Sequence, residues 1–343
     1  MAERINEMET AFPFVTAMIV VRNEEVYIER AVLSFLNQDY PKERMELLVI
    51  DGMSTDHTVE TAKRTVAEYS AAHGDGMPVR YFENPKQVLA AGWNIGIKEA
   101  KGDFVVRIDA HAQADPTLIR KCVRVLMDNP DVACAGGCIE AEPLTEKGRV
   151  ISDVLSSPFG VGNARFRYAE QSGYVDTVAY GVYRKSIFDQ AGYFNEDFMR
   201  NQDNDMHGRI KRAGGKFYLE TSVRNTYHSR ETVKGMMRQG FGNGKWNIIV
   251  CKKSESKDGL SLRHLIPLLF VSANVLLMIL SCFFSFFRWA FLAMYVLYFG
   301  MAAYFAAKKA KSVFNFFKMC GYYWLLHVSY GCGSFMELFH FGK

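Results

Sequence analysis

The chain has 343 residues, and its 41 Lys and Arg against 37 Asp and Glu leave a formal net charge of +4. That excess is too small to argue for a nucleic-acid partner, and no Lys/Arg cluster interleaves with aromatics in a binding pattern. The seven cysteines include no CxxC pair, and no His or Cys pair follows Cys134 and Cys138 at zinc spacing, which leaves core thiols in a reducing compartment as the expectation.

The opening "MAERINEMETAFPF" is charged and lacks an apolar h-region. A cleaved signal peptide is therefore not expected, residues 1–11 read as a flexible terminus, and the domain that follows is expected in the cytosol. Residues 14–21, "FVTAMIVV", form a continuous β-rich run, as a strand buried on both faces would. It stops at "RNEE", after which Ile28, Val32, Phe35 and Leu36 recur at helical spacing. A second run, "MELLVID" (45–51), ends at "GMSTDHT", where Thr55 or Asp56 suits a helix cap. "VRYFENP" (79–85) reads as a third strand, "KQVLAAGWNIGIKEAKG" as a helix with a Gly stop, and "DFVVRID" as a fourth strand. Strand–helix alternation with short polar links predicts an α/β fold on a mainly parallel sheet.

In such sheets ligands gather beyond the carboxyl ends of the strands. Three of those ends carry "RNEE", "DGMSTD" and "RIDAH". Carboxylates there suit a ribose hydroxyl, a base N–H, or a divalent cation held against phosphate. If the fourth strand runs on, Arg107, Asp109 and His111 project from one face. Arg107 then either offsets phosphate charge or pairs with Asp109. No GxGxxG follows the first strand and no GxxxxGK[ST] occurs, so dinucleotide oxidoreductases and P-loop NTPases fit poorly.

Residues 265–287 are 23 consecutive uncharged residues, and 289–307 are 19 more, with Arg288 between them. Each is long enough to cross a hydrocarbon core of about 30 Å. Lys252, Lys253, Lys257 and Arg263 precede this hairpin, and Lys308, Lys309, Lys311 and Lys318 follow it. By the positive-inside rule both flanks are cytoplasmic, in an inner-membrane, multi-pass arrangement. A third apolar stretch, 319–339, contains His327, Gly331, Gly333 and Glu337; spanning, re-entrant and interfacial placements all remain open for it. The expected division is a catalytic domain over 12–245, a basic amphipathic linker over 246–264, and a membrane region of two or three helices over 265–343.

The run "FVTAMIVVRNEEVYIERAVLSFLNQDYP", then "ELLVIDGMSTDHTVE", "NPKQVLAAGWNIGIKEAKGDFVVRIDAHA" and "AYGVYRKSIFDQAGYFNEDFMRNQDNDMHGRIKRAGGKFYL", resembles the family-2 inverting glycosyltransferases with the GT-A fold. The nearest flavour is that of membrane-attached, succinoglycan-type exopolysaccharide glucosyltransferases. The resemblance implies a single-sugar transfer from a nucleotide-sugar, UDP-linked by preference, to a lipid-linked or membrane-proximal saccharide in extracellular or capsular polysaccharide assembly. Other assembly enzymes would be its neighbours. It implies that Asp51 grips the nucleotide base, that Arg22, Glu24 and Asp109 help bind the donor, and that Gly181 lies in the acceptor-side loop. Asp203 would be the general base. Asp109, His111 and His228 would hold a divalent cation, Mn²⁺ or Mg²⁺.

Two positions depart from the family pattern: the DxD signature is Asp-Ala-His at 109–111, and the ED pair is Gln202-Asp203. Imidazole is a softer ligand than carboxylate and suits Mn²⁺ better than Mg²⁺. Plain structural readings stand beside each role. Asp51 before Gly52 is a good turn former, Asp109 and His111 suit a strand end, Asp203 and Asp205 suit a solvated loop, and Trp93 and Trp246 suit a core or membrane-interface site. A processive synthase is a poorer match, because "RQGFGNGKW" lacks a QxxRW pattern. A sugar-nucleotide pyrophosphorylase would need neither an acceptor base nor a membrane anchor. A catalytically inactive scaffold would suit the departures at His111 and Gln202.

Overall fold

The computed structural model describes residues 12–74, 76–254 and 262–339. The expected flexible terminus and residues 255–261 of the expected linker lie outside them. The chain divides into two compact units: residues up to 140 together with 169–228, and residues 141–168 together with 229 onward. The boundary expected at 245/246 falls inside one continuous helix, Val233–Lys253.

The first unit is built on a sheet. Its elements begin with β1 (Val15–Val21), α1 (Ile28–Leu36), β2 (Met45–Asp51), α2 (Thr58–His73), β3 (Val79–Glu83), α3 (Leu89–Glu99) and β4 (Phe104–Asp109). Every residue of β1 is buried, as its continuous apolar run requires. On α1 the buried residues are Ile28, Ala31, Val32, Phe35 and Leu36, one apolar stripe at 3.6-residue spacing. β1 pairs in parallel with β2 and β4, and β2 with β3. One buried carboxylate ties these strands together. Glu46 accepts from Thr16 Oγ1 at 2.8 Å, from the Lys101 N–H at 2.8 Å and from Arg80 Nε at 3.1 Å.

Beyond β4 come β5 (Ala112–Gln113), α4 (Leu118–Asp128), β6 (Val132–Ala141), β7 (Gly173–Val175), β8 (Val182–Arg184) and β9 (Lys216–Tyr227). The strand order is β3-β2-β1-β4-β8-β6-β9-β5, with β7 on β9. The pairs β4–β8, β6–β8, β5–β9 and β7–β9 are antiparallel. The sheet is thus mixed, parallel over β1–β4 and antiparallel beyond. In its antiparallel half β5, β7 and β8 have only two or three residues each, too short to show any alternation in sequence.

The second unit is helical. In chain order it contains α5 (Glu146–Leu155) and α6 (Pro158–Val161), and later α9 (Val233–Lys253), α10 (Ile266–Ser281), α11 (Ser285–Ala307) and α12 (Val313–Phe339). The helices α7 (Ile187–Ala191) and α8 (Gln202–Arg212) lie between these in sequence and belong to the first unit. Val150, Ile151 and Val154 of α5 share a core with Met236, Ala302, Ala306, Met319, Tyr323 and Leu326. α9 and α12 approach closely at glycines. A Cβ on Gly244 would sit 2.0 Å from the Tyr330 carbonyl oxygen, and one on Gly333 would sit 2.1 Å from that of Phe241.

Among the described residues, α11 alone is long and apolar enough to cross a membrane by length and composition. α10 ends after 16 residues, about 24 Å of helix, because the chain turns at Cys282–Phe284. The expected 23-residue first span is shortened accordingly, and several membrane crossings are not shown.

Candidate active site

The four parallel strands bring their carboxyl ends to one edge, and a cavity of 220 Å³ opens there. It is lined by Arg22 and Glu24 after β1, Gly52 after β2, Asn84 and Gln87 after β3, and Asp109 and His111 at the end of β4. Asp51 is absent from that lining. Its carboxylate accepts from the Ser54 N–H at 3.0 and 3.2 Å and from Ser54 Oγ at 2.6 Å. Ser54 Oγ in turn accepts from the Asn23 N–H at 2.9 Å, and the Asn23 side chain accepts from the Thr55 N–H at 2.8 Å. The loops after β1 and β2 are thereby laced to each other. Neither Thr55 nor Asp56 is the N-cap of α2, which is His57, although Asp56 accepts from the Thr58 N–H at 3.1 Å.

β4 stops at Asp109, and the chain turns before His111. The strand alternation expected to align His111 with Arg107 and Asp109 therefore stops at Asp109. Arg107 points into the core at 5% exposure, while Asp109 and His111 border the cavity. His111 Nδ1 lies 3.9 Å from Glu24 Oε1, and Asp109 Oδ2 accepts from the Tyr180 hydroxyl at 3.3 Å. The β5–β9 pairing of Ala112 with Tyr227 sets His228 beside His111, and the His228 N–H donates to the His111 carbonyl at 3.2 Å. The His228 ring lies 4.9 Å from that of Tyr27, and its buried Nδ1 has no hydrogen-bond partner among the described residues.

Asp203 stands in the first turn of α8, where the helix dipole favours an anion. Its Oδ1 accepts from Arg107 Nη2. Arg107 thus pairs with Asp203 and neither bonds Asp109 nor faces the cavity. Although 45% of the Asp203 side chain stays open to solvent, the protein packed around it desolvates the carboxylate. That desolvation, with repulsion from Asp109, raises its pKa against the opposing pull of Arg107. The neighbouring Asp205 is buried and committed to Arg209, at 2.8 and 3.0 Å.

Gly181 is fixed by packing. A Cβ there would meet Cys134 Sγ at 2.4 Å. The preceding Tyr180, at φ 48°, is one of five described non-glycine residues in the left-handed region, with Asn23, Met53, Gln87 and Asn201. All five adjoin the site: two in the laced loops, one lining the cavity, one bonding Asp109 and one opening α8. Such conformations cost on the order of 1–3 kcal/mol and gather at functional sites. Asn is a weak sequence marker for them; Met53, Gln87 and Tyr180 carry none. Sequence reasoning also did not assign Asn84, Gln87 or Tyr180 to the site.

Among the described residues no three His, Cys, Asp or Glu side chains lie close enough to hold a metal ion alone. Of the expected metal ligands, Asp109 and His111 border the cavity, while the buried His228 Nδ1 is not part of its lining.

Residues 16–192, more than half of the chain, match the model of glycosyl transferase family 2; Asp203 and His228 lie beyond the matched segment. The chain is 29% identical over 245 residues, 70% of its length and 74% of the other's, to a dolichyl N-acetyl-alpha-D-glucosaminyl phosphate 3-beta-D-2,3-diacetamido-2,3-dideoxy-beta-D-glucuronosyltransferase of Methanococcus voltae. It is 24% identical to the succinoglycan biosynthesis protein ExoA of Rhizobium meliloti, over 72% of each chain. Among solved structures it resembles the mannosyltransferase PcManGT of Pyrobaculum calidifontis, determined with GDP-Man and Mn²⁺. The TM-score is 0.60 at 17% identity, over 93% of this chain and 87% of that one, a likeness of fold. The mixed sheet with flanking helices is a GT-A-like fold, and the chain is a glycosyltransferase that belongs to glycosyl transferase family 2.

Proposed function

We propose that the protein transfers one sugar, with inversion, from a nucleotide-sugar to a lipid-linked or membrane-proximal glycan during extracellular or capsular polysaccharide assembly. The observation that carries this reading is the paired placement of Asp109 and Asp203. Asp109 borders the cavity at the end of β4, and Asp203 is tied to the same strand through Arg107. A donor's diphosphate and an acceptor's hydroxyl then have adjacent carboxylates with different tasks.

Arg22, Glu24 and Gly52 line the donor cavity, and Asp51, immediately before Gly52, would bind the base at the nucleotide end. A carboxylate offers about four lone-pair sites, so Asp51 keeps acceptor capacity for a base N–H beyond what Ser54 uses. Asp109, bonded by Tyr180, would meet the ribose and diphosphate, with His111 beside it and His228 bonded to the His111 backbone. A divalent cation, Mn²⁺ or Mg²⁺, bound by these three would neutralise charge on the departing nucleoside diphosphate. Asp203 takes the proton of the acceptor hydroxyl as that oxygen attacks the anomeric carbon. One displacement inverts that carbon, so an α-linked donor yields a β-linked product. UDP-sugars are the preferred donor class, and Gly181 lets the Tyr180 loop pack close to β6 on the acceptor side.

The names of the two curated relatives, one acting on a dolichyl-linked phosphate sugar and one in succinoglycan biosynthesis, support an acceptor held at a membrane. The helical unit supports the same reading: α11 leaves Phe286, Trp289 and Leu297 exposed. The lysines flanking the apolar helices favour a multi-pass protein of the inner membrane, with the sheet unit cytoplasmic. The test is a screen of nucleotide-sugars with the full chain in detergent, with and without Mn²⁺ and Mg²⁺. Turnover of a UDP-sugar that ceases on chelation is expected. Turnover that survives full chelation would remove the cation from this scheme, and absence of turnover with every donor would remove the transfer itself.

A further inference from the structure

Behind Asp203 lies a set of side chains that the transfer chemistry above does not use. Arg107 is buried on β4, with its guanidinium carbon 3.7 Å from the centre of the Trp93 ring and 5.5 Å from that of Phe194. Tyr183 neighbours it on β8, where it pairs with Val105, close enough to act on the guanidinium electrostatically. The Tyr183 hydroxyl lies 2.8 Å from His207 Nε2, and His207 Nδ1 lies 2.7 Å from Thr177 Oγ1. His207 sits one helical turn beyond Asp203 on α8 and rests on the Phe217 ring at 4.4 Å. Tyr183 and His207 are each only 2% exposed.

Tyr183 and Thr177 hold the two ring nitrogens of His207 between them, and Arg107, which has donors only, can be met by the Tyr183 oxygen through its lone pairs. An ion pair with one member buried contributes little net stability, because desolvation offsets the attraction. Holding one geometry is the better-supported use of the Arg107–Asp203 pair. A guanidinium serves where lysine would not: it is planar, stacks on Trp93, and keeps an edge for the carboxylate.

We propose that Arg107, clamped by Trp93 and by the Tyr183–His207–Thr177 chain, is a positioning residue that fixes the Asp203 carboxylate and leaves Oδ2 for the acceptor hydroxyl. This rests on Asp203 being the general base. Both α8 side chains, Asp203 and His207, then meet the β4–β8 strands through one set of contacts, so the base and the helix that carries it are placed together.

The experiment is steady-state transfer by the full chain in detergent, varying donor and acceptor, for Arg107→Lys, Tyr183→Phe, Asp203→Asn and each pair with Asp203→Asn. Arg107→Lys is expected to lower kcat roughly 10- to 10²-fold, the scale for a displaced reacting group. Its donor KM should stay within about twofold, because ground-state donor binding is untouched. Tyr183→Phe should lower kcat by a smaller factor. Neither should lower the residual turnover of Asp203→Asn further, since both act through that carboxylate. A wild-type kcat for folded Arg107→Lys, alongside a crippled Asp203→Asn, overturns the proposal and leaves the base assignment standing. An undiminished Arg107→Lys effect in the Asp203→Asn background also overturns it. Near wild-type turnover of Asp203→Asn overturns the base assignment and this inference with it. Should Arg107→Lys fail to fold, Tyr183→Phe decides alone. A loss confined to the Asp203 background supports the proposal, and equal losses in both backgrounds, or none in either, overturn it.

Discussion

The loop after β2 and the start of α8 each present a carboxylate to the same edge of the sheet, by different means. Asp51 is held by Ser54, three residues along the chain, through a backbone N–H and a hydroxyl in a half-exposed loop. Asp203 is held by Arg107, 96 residues away, through a buried cation seated on Trp93. Hydrogen bonds of the first kind contribute modestly, because water replaces a lost partner at an accessible site. Those of the second kind are high-stakes: a desolvated charge that loses its partner finds no substitute. The nucleotide end of the site should therefore tolerate change and the transfer end should not.

The largest effect is expected where that contrast is sharpest. Asp203→Asn keeps the shape of the side chain and removes its basicity, and should lower turnover by about 10²- to 10⁴-fold, the range for a lost general base. Donor binding, measured by calorimetry or donor KM, should hardly change. The same carboxylate governs the pH profile. As the proposed general base it acts only when ionised, so turnover is expected to fall as pH drops through its pKa. Because desolvation and Asp109 raise that pKa, the acid limb of kcat should lie above the ordinary aspartate value of about 3.9. An acid limb at or below that value would show that Arg107 dominates.

Asp109→Asn comes next. It belongs to both ends, lining the cavity and standing near enough to Asp203 to raise its pKa. Loss of its charge should weaken donor binding in the presence of Mn²⁺ by at least about tenfold, the lower scale for a disturbed metal site. It should also bring the acid limb of Asp203 down. A change in donor binding with no movement of that limb would separate the two carboxylates. Gly181→Ala tests the packing between them. Its Cβ would meet Cys134 Sγ at 2.4 Å, an overpacking that should cost about 1–3 kcal/mol of stability in thermal unfolding.

The two ends also differ in how far they can be read from sequence, for the same reason. β1, β2 and β4 carry apolar runs, and β3 and the intervening helices follow them at short spacing, so their existence and the polar strand ends are legible locally. Asp51 and Ser54 are neighbours, and a turn of that composition announces itself. Arg107 is just as visible, yet its partner is not, because a contact across the fold leaves no periodicity. Strand alternation places His111 on the face of Arg107 only if β4 continues, and nothing in "RIDAH" marks the turn after Asp109. Strands β5, β7 and β8 are too short to alternate, which hid the antiparallel half that carries Tyr183 and brings His228 to His111. In the helical unit the break at Cys282–Phe284 lies among residues as apolar as those on either side, so the run reads longer than the helix is. The closeness of α9 to α12 is recorded only in glycines whose partners are some 90 residues away.

The smallest expected effect is the one that tests the tolerant end. Ser54→Ala removes two bonds, Ser54 Oγ to Asp51 Oδ1 at 2.6 Å and the Asn23 N–H to Ser54 Oγ at 2.9 Å. It keeps the backbone N–H of residue 54, which still reaches both Asp51 oxygens. Asn23 also keeps its side-chain link to the Thr55 N–H, so the two loops stay joined. Water can reach the vacated positions because the loop is partly exposed. A net loss of about 1 kcal/mol, the usual worth of one such bond, is therefore expected in donor binding, with kcat unchanged. That is roughly a fivefold rise in donor Kd. Donor titration against wild type and Asp51→Ala, under the same cation, measures it. If Ser54→Ala weakened binding as much as Asp51→Ala, the loop would be as unforgiving as the α8 start. The distinction between a locally held and a remotely held carboxylate would then fail at its nucleotide end.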